Sequence, residues 1–325
     1  MAYEIVDQVA AEAQEMRRVF AATMIEMARA DDKVVYFDCD LMNSIGMVPF
    51  AKEFPERAFD CGIMEANMVG IAGGISAAGY KPFIHSFGVF ATRRVVDQVF
   101  LSAAYGKNNV RIVGSDPGVT AAANGGTHMP LEDMGIMRGI PEVTVLEPTD
   151  CAMLRDLLLQ TKDMHGVFYI RLARKIVAKI YRDGSTFIIG KAAPLRRGTD
   201  VTILCSGICV EDSLKAAELL AQEGISASVA NVFTWKPLDR EFIAAEAAKT
   251  GAVVTVENHN IINGLGSAVA ECLGETCCVP LERVGVRDLF GEVGSVGYLK
   301  ERFGLTAADI AAAAKRAAAR KAGRA

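Results

Sequence analysis

One ionisable side chain, Glu65, heads a long apolar and glycine-rich run in the segment Phe59-Asp60-Cys61-Gly62-Ile63-Met64-Glu65-Ala66-Asn67-Met68-Val69-Gly70-Ile71-Ala72-Gly73-Gly74. The length and composition of this run predict a buried helix. Burying a carboxylate costs free energy unless another group pairs with it. A carboxylate in this place therefore has a partner or a chemical role.

Two interpretations of Glu65 fit the segment taken alone. In the first, the carboxylate stands in the first helical turn and interacts with the positive end of the helix dipole. In the second, it bonds to ring nitrogen N1′ of the aminopyrimidine of thiamine diphosphate and so activates the cofactor. The neighbouring segments decide between them.

Four motifs follow one another along the chain. They are Glu65-Ala66-Asn67-Met68-Val69-Gly70-Ile71-Ala72-Gly73-Gly74, Lys81-Pro82-Phe83-Ile84-His85-Ser86-Phe87-Gly88-Val89-Phe90, Gly125-Gly126-Thr127-His128 and Ile140-Pro141-Glu142-Val143-Thr144-Val145-Leu146-Glu147-Pro148. As an ordered set they resemble the pyrimidine-binding domain of transketolases. The resemblance extends to 1-deoxy-xylulose-5-phosphate synthases and, more distantly, to β subunits of 2-oxoacid dehydrogenase E1 components.

Composition limits the class of protein. The 325 residues suit two domains, and 51% hydrophobic with 23% charged residues is typical of an α/β protein. A net charge of -4 gives no basic surface for nucleic acid. We expect no membrane span, because no apolar stretch approaches ~20 residues. The 8 cysteines show no metal-binding spacing, which favours a reduced, cytoplasmic protein without a metal site of its own.

Short apolar runs alternate with alanine-rich segments, which predicts two open, parallel or mostly parallel sheets flanked by helices. The predicted strands are 34–37, 82–84, 110–113, 143–146 and 167–170 in the first half and 200–204, 225–229, 253–256 and 281–284 in the second, with helices at 94–104 and 149–159. The resemblance assigns residues 1–185 to the pyrimidine-binding domain and residues 186–325 to the transketolase C-terminal domain. The polar stretch 181–185 leads out of the first unit.

The chain contains no Gly-Asp-Gly sequence, the motif that holds the diphosphate through Mg²⁺ in a separate domain of these enzymes. The resemblance therefore implies the C-terminal subunit of a split transketolase. Its partner would be an N-terminal subunit that carries the metal ligands, in an α₂β₂ assembly. The expected reaction moves a two-carbon ketol unit from a ketose, expected to be phosphorylated, to an aldose. The alternatives are a deoxyxylulose-type or E1 β-like activity, and a scaffold subunit without catalysis.

The resemblance also assigns residues to the cofactor. Glu65 activates the aminopyrimidine, while Phe87 and Phe90 line the slot for this ring. Arg93 stands where transketolases have a third aromatic residue, as in the deoxyxylulose synthase pattern. Asp40 resembles the acid near the thiazolium ring. For both phenylalanines the alternative is an ordinary place in the core.

Two histidines are candidates for contact with substrate. His128 follows Gly125-Gly126-Thr127, and in the family this imidazole contacts the substrate hydroxyls or carbonyl oxygen and shuttles protons. Its alternative is a histidine on an exposed loop. His85, at the end of a predicted strand, is expected to approach the pyrimidine or the substrate.

An anion site is implied by Arg17, Ser44 and Arg174, which fall where the family binds the sugar phosphate. Arginine can grip a phosphate with two parallel hydrogen bonds. Arg171 is an alternative on the same strand. For all three arginines the plain interpretation is a structural salt bridge.

Two substitutions in the loop 115–128 separate this chain from ordinary transketolases. Asp116 replaces a histidine near the substrate phosphate, and Asn124 replaces an aspartate that meets a donor hydroxyl. A carboxylate beside a phosphate repels it by about 4 kcal/mol before screening. We therefore expect a substrate outside the usual pentose phosphates, unless Asp116 points away and pairs with an arginine.

Overall fold

The computed structural model describes residues 2–323 and shows an α/β protein built on two large, mostly parallel sheets. The strands are β1 Ile5–Ala11, β2 Val34–Asp38, β3 Ala58–Asp60, β4 Lys81–Phe87, β5 Val110–Ser115, β6 Val143–Leu146, β7 Val167–Leu172, β8 Ala178–Tyr181, β9 Ala193–Arg196, β10 Val201–Cys205, β11 Ala227–Asn231, β12 Thr234–Lys236, β13 Val253–Asn260 and β14 Leu281–Val286. The α-helices are α1 Met16–Ala30, α2 Met42–Ile45, α3 Val48–Glu53, α4 Glu65–Ala77, α5 Gly88–Ala91, α6 Val96–Gln98, α7 Asp133–Gly139, α8 Cys151–Asp163, α9 Cys209–Gln222, α10 Arg240–Thr250, α11 Leu265–Thr276, α12 Val296–Phe303 and α13 Ala307–Ala322. A π-helix spans Val99–Tyr105, and 3₁₀ turns span Gly118–Asn124 and Gly126–His128.

The first large sheet has the strand order β12-β6-β7-β5-β4-β2-β3. Its strands are parallel except β12, which runs antiparallel to β6. Parallel strands end at one common edge, and ligands of open α/β sheets bind at that edge. The ends of β2, β4 and β5 at Asp38, Phe87 and Ser115 thus converge on one place.

The second large sheet has the order β14-β13-β10-β11-β9, with only β9 antiparallel to its neighbour. Helix α13 packs on this sheet with an alanine-rich face, and Thr306 and Asp309 form a capping box at its start. A smaller sheet pairs β1 with β8. The expected α/β architecture with mostly parallel sheets is confirmed.

The two halves of the chain share secondary structure. Strand β12 comes from the second half, yet it completes the edge of the first sheet beside β6. The division into two domains between residues 185 and 186 stays a prediction, because β12 follows this point in the sequence and yet belongs to the first sheet.

All nine predicted strands are present, in most cases with one or two more residues at an end. The strands β1, β3, β8, β9 and β12 were missed, because edge strands and two-stranded pairs bury too little surface to need a strongly apolar sequence. The helix expected at 94–104 is a short α-helix followed by the π-helix Val99–Tyr105. The stretch 181–185 is not a simple exposed linker, because Tyr181 lies fully buried at the end of β8.

Helix α4 corrects the expectation of a wholly buried helix. Met68, Val69, Ala72 and Gly73 face the core, whereas Ile71 and the small residues beside it face outward. A Cβ atom on Gly73 would lie 2.6 Å from the carbonyl oxygen of Ser102, so α4 packs directly against the π-helix. The outer face of α4 is apolar and lacks a covering partner within residues 2–323.

Within that range no helix is long and apolar enough to cross a membrane. All 8 cysteines are free thiols. Burial raises the pKa of the Cys205 thiol to about 12, so it packs as a neutral, apolar group. The cytoplasmic location stays a prediction.

A buried ionic network joins the two halves. Arg171 in β7 donates to both carboxylate oxygens of Asp133, at 2.8 and 2.9 Å, and to Glu147 at 2.7 Å. Tyr169 donates to Asp133, and Ser206, which follows β10, donates to Glu147. Each of the three charged side chains is at most 2% exposed, so each depends on the others for compensation.

Arg171 also binds two carbonyl oxygens from different parts of the fold. Its Nη2 donates to Pro130 at 2.9 Å and to Asn258 of β13 at 3.0 Å. The residue weighed as a possible phosphate ligand is therefore structural, because it is inaccessible and every side of its guanidinium is already bound.

Replacing Arg171 with alanine should lower the free energy of unfolding by about 3–5 kcal/mol, because Asp133 and Glu147 would stay buried without a cation. The matched control Arg155→Ala removes an exposed pair with Glu26 and should change this free energy by about 1 kcal/mol or less. Urea unfolding followed by circular dichroism measures both. Equal losses in the two variants would contradict the assignment.

Candidate active site

Glu65 is the first residue of α4, and its carboxylate is buried with both oxygens bound. Ser86 of β4 donates to Oε1 at 3.0 Å, and Arg94 donates to Oε2 at 2.8 Å. The partners differ in accessibility, since the Arg94 side chain is 42% exposed whereas that of Glu65 is 1% exposed. The carboxylate is thus fixed from the protein side and capped from the solvent side.

Two phenylalanines and a histidine gather beside this carboxylate. Phe87 ends β4, Phe90 lies in α5, and their ring centroids are 6.3 Å apart. The His128 ring meets both edge-on, at 5.9 Å from Phe87 and 5.3 Å from Phe90. Its Nδ1 lies 2.9 Å from the Thr127 hydroxyl. The fold therefore brings together three side chains that the sequence placed in one pocket.

Arg94, which the sequence analysis did not select, is the arginine that contacts Glu65. Its guanidinium carbon lies 3.9 Å from the centroid of the Phe90 ring. Arg93 instead pairs with Glu132 at 3.1 Å and donates to the carbonyl oxygen of Thr127 at 3.4 Å. Arg93 thus lies next to His128, and its assignment to the cofactor pocket stays a prediction. Adjacent arginines after an aromatic pair were the available signal, but only the backbone direction distinguishes them.

A second cluster forms around Ser44, which follows β2. Arg17 donates to its carbonyl oxygen at 2.9 Å, and Arg174 donates to the same oxygen and to the hydroxyl. Arg174 also lies 5.4 Å from the Phe87 ring centroid, which connects this cluster with the aromatic pocket. The three residues predicted to bind an anion are therefore together.

Asp116 faces Arg174, with Nε to Oδ1 at 3.0 Å and Nη2 to Oδ2 at 2.9 Å. Burial raises the pKa of this carboxyl group, and the guanidinium opposes that shift. Of the two alternatives for Asp116, the structure shows the pairing with an arginine. Asn124 is exposed and borders, together with Arg174, a cavity of 520 Å³ between the two halves of the chain.

His85 is buried and does not reach a surface, which corrects the expectation that it approaches the pyrimidine or substrate. Its Nδ1 lies 2.8 Å from Asp38, and its Nε2 lies 2.9 Å from the Ser115 hydroxyl. These residues sit on the neighbouring strands β2, β4 and β5. The Asp-His-Ser arrangement is that of a hydrolase triad, but all three side chains are sealed from solvent and serve the sheet edge.

Asp40 lies exposed just beyond β2, with φ of 60°. Its backbone N–H donates to Asp60 at 2.9 Å. It shares the sheet edge with the pocket, and among residues 2–323 the structure records no contact between it and Glu65 or the aromatic pair.

The second half of the chain holds the loop that carries His128, a role that sequence reasoning missed. The side-chain amide of Asn258 binds Val119 and Pro117, each at 2.9 Å. At the other end of the loop, a Cβ atom on Gly126 would lie 2.3 Å from the carbonyl oxygen of Gly291. The loop is therefore clamped at both ends, and Gly126 allows the close backbone approach.

Comparison with known families covers most of the chain. Residues 12–179 match the transketolase pyrimidine-binding domain, and residues 190–310 match the transketolase C-terminal domain. The 6-deoxy-6-sulfo-D-fructose transketolase subunit SqwH of Clostridium sp. (strain MSTE9) is 53% identical, over 97% of this chain and 98% of that protein. A putative transketolase C-terminal section of Methanocaldococcus jannaschii is 38% identical, over 91% of this chain and 94% of that protein.

Among solved structures, a split-gene transketolase described as an inactive β4 tetramer superimposes with a TM-score of 0.87. It is 39% identical, and the match covers 94% of this chain and 99% of that one. The chain therefore belongs to the transketolase family, as a C-terminal subunit of the split type that works with a partner. Membership of this family implies dependence on thiamine diphosphate.

Proposed function

We propose that this subunit binds the aminopyrimidine of thiamine diphosphate between Glu65 and the Phe87–Phe90 pair, and transfers a two-carbon ketol unit from a ketose that ends in a sulfonate. The observation that supports the cofactor site is the buried Glu65 carboxylate, which Arg94 joins to the half-buried Phe90 ring. The pairing of Asp116 with Arg174 removes the direct repulsion of a phosphate by a free carboxylate, but it also cancels one positive charge in the cluster around Ser44, and this lower charge supports the sulfonate.

The residues present fit the aminopyrimidine. Arg94 shows the fit, because its planar guanidinium donates to Glu65 while it lies against Phe90. A protonated N1′ on a planar aromatic ring requires the same two contacts, a carboxylate at its edge and an aromatic face. A flat N–H donor that already makes these two contacts supports the proposed binding of the aminopyrimidine.

When bound, thiamine diphosphate supplies the nucleophilic carbon that cleaves the donor next to its carbonyl group. Glu65 holds the proton at N1′, and Ser86 fixes the carboxylate by its bond to Oε1. His128, with Nδ1 engaged by Thr127, directs Nε2 towards the substrate oxygens and exchanges protons with them. Phe87 and Phe90 keep water from the ring.

Glu65→Gln should leave the complex folded and slow proton exchange at C2 of the bound cofactor by about 10²–10⁴-fold, because an amide cannot hold the proton at N1′. Exchange is measured by NMR in deuterium oxide on the assembled complex. Glu26→Gln, on the exposed face of α1, is the matched control. Wild-type exchange in Glu65→Gln would remove the assigned role.

The net charge of the side chains in the cluster around Ser44 favours a substrate group with a single negative charge. Arg17, Arg174 and Lys175 supply three cations, while Glu15 and Asp116 supply two carboxylates, which leaves a formal charge of +1. A sulfonate carries one negative charge, whereas a phosphate monoester carries about −1.5 to −2 at pH 7. The Clostridium relative is named for a sulfonated ketose, which supports the same choice.

A donor comparison tests this point with 6-deoxy-6-sulfo-D-fructose and fructose 6-phosphate, which differ only in the group on C6. In the assembled complex kcat/KM should favour the sulfonate by about tenfold or more, ~1.4 kcal/mol in transition-state free energy. Asp116→Asn removes the negative charge and keeps a residue type that tolerates the φ of 60° at this position. It should therefore lower the ratio of kcat/KM for the sulfonate to kcat/KM for the phosphate.

Equal turnover of the two donors, or turnover of xylulose 5-phosphate as efficient as that of the sulfonate, would show that Asp116 does not select the anion. If the ratio of the two kcat/KM values were unchanged in Asp116→Asn, residues other than Asp116 would select the anion.

An exposed apolar surface supports the proposal of a partner subunit. Its residues precede or belong to α4, which Glu65 begins, or lie in α6 and the π-helix, which pack against α4. They are Phe59, Ile63, Met64, Ile71, Val96, Phe100, Leu101 and Tyr105. Exposed apolar surface on this scale marks an interaction site. We assign to it the N-terminal subunit with the Mg²⁺ and diphosphate ligands, in an α₂β₂ assembly, because this chain lacks the Gly-Asp-Gly motif. A related chain assembled with itself is described as inactive.

The purified chain should be inactive and bind thiamine diphosphate weakly, and addition of the N-terminal subunit should create ketol transfer. Sedimentation equilibrium should give the mass of two copies of each subunit. Ile63→Asp lies in the apolar surface and should weaken assembly, whereas Ile176→Asp, equally apolar but outside it, should not. Full activity of the chain alone would refute the split arrangement.

A further inference from the structure

Arg94 makes the two contacts that the aminopyrimidine needs. Its Nη1 donates to Oε2 of Glu65 at 2.8 Å, and its guanidinium lies 3.9 Å from the centroid of the Phe90 ring. The guanidinium is flat and cationic and donates hydrogen bonds in its own plane. The arginine and the aminopyrimidine therefore cannot occupy the pocket together.

We propose that Arg94 is a displaceable occupant of the aminopyrimidine slot, which it fills as long as the cofactor is absent, in the free subunit and in the assembled complex, and leaves when the cofactor binds. This inference rests on the proposed function, since it takes Glu65 and Phe90 as the cofactor's contacts. Removal of Arg94 should then strengthen cofactor binding, whereas removal of a residue that holds the cofactor would weaken it.

The difference in burial between the partners supports displacement. The Glu65 side chain is 1% exposed and stays anchored by Ser86, whereas the Arg94 side chain is 42% exposed and reaches the carboxylate from outside. A long side chain that is partly in solvent can swing away without disturbing the helix that carries Glu65.

Arg94 also stabilises the subunit before it assembles with its partner. A subunit made separately from its partner must keep the Glu65 carboxylate buried before the cofactor arrives, and a buried charge without a counter-charge is strongly destabilising. Arg94 supplies that counter-charge from the same chain. The site can thus exist in the free subunit without its ligand.

Calorimetric titration of thiamine diphosphate with Mg²⁺ into the assembled complex tests the displacement. If the slot is open about a tenth of the time, Arg94→Ala should lower the cofactor Kd by about tenfold. Arg94→Lys, which keeps the charge but not the flat fork, should lower it less. Arg155→Ala, which removes an exposed pair remote from this pocket, should leave the Kd unchanged.

The free subunit supplies a second readout. Arg94→Ala should lower its melting temperature, and Glu65→Gln should remove most of that difference, because the neutral amide no longer needs a cation. Arg94→Lys keeps the positive charge, so its melting temperature should be close to that of the wild type. If Arg94→Ala does not fold, cofactor binding can still be measured with Arg94→Lys.

An unchanged or weaker cofactor affinity in both Arg94 variants would overturn the inference, because it would show that Arg94 stays and helps to hold the ring. Failure of the wild-type complex to bind thiamine diphosphate at all would overturn the proposed function, and the inference with it.

Discussion

The Arg171 guanidinium compensates two buried carboxylates and two carbonyl oxygens that come from both halves of the chain. Its partners include Asp133 at the start of α7 and Asn258 in β13. Asn258 in turn binds the start of the loop that carries His128. Since a buried cation tolerates little change in its surroundings, this contact fixes the position of the second half against the first, and the second half positions a loop of the site.

The same physical rule operates at Glu65, with a different consequence. There too an arginine compensates a buried carboxylate, but Arg94 is partly in solvent whereas Arg171 is sealed. A sealed pair is permanent structure, because opening it would leave charges without water. Arg94 can be replaced, because its guanidinium is hydrated as it leaves and the N–H of a ligand takes its place at the buried carboxylate. Exposure of the cation thus separates a structural ion pair from one that a ligand can replace.

Sequence reasoning predicted which candidate residues lie together more reliably than it predicted the residues around them. It placed Glu65, Phe87, Phe90 and His128 together, and it grouped Arg17, Ser44 and Arg174, because the family resemblance assigns the members of each set to one region. It did not select Arg94, because nothing in the sequence distinguishes this arginine from its neighbour Arg93 as the partner of Glu65. It also failed for His85, since apolar neighbours do not reveal whether a strand end opens to solvent or closes on Asp38 and Ser115.

The alternation of apolar runs and alanine-rich segments by itself determined the α/β fold, because parallel strands buried on both faces need continuous apolar sequence. The ordered motifs determined the family and predicted which residues lie together beside Glu65. Only the tertiary structure decided that β12 crosses to the first sheet, that Arg171 is structural, and that Asp116 is bound to Arg174. Those outcomes depend on contacts between residues distant in sequence, and the direction of a side chain across such a contact is set by packing of the whole molecule.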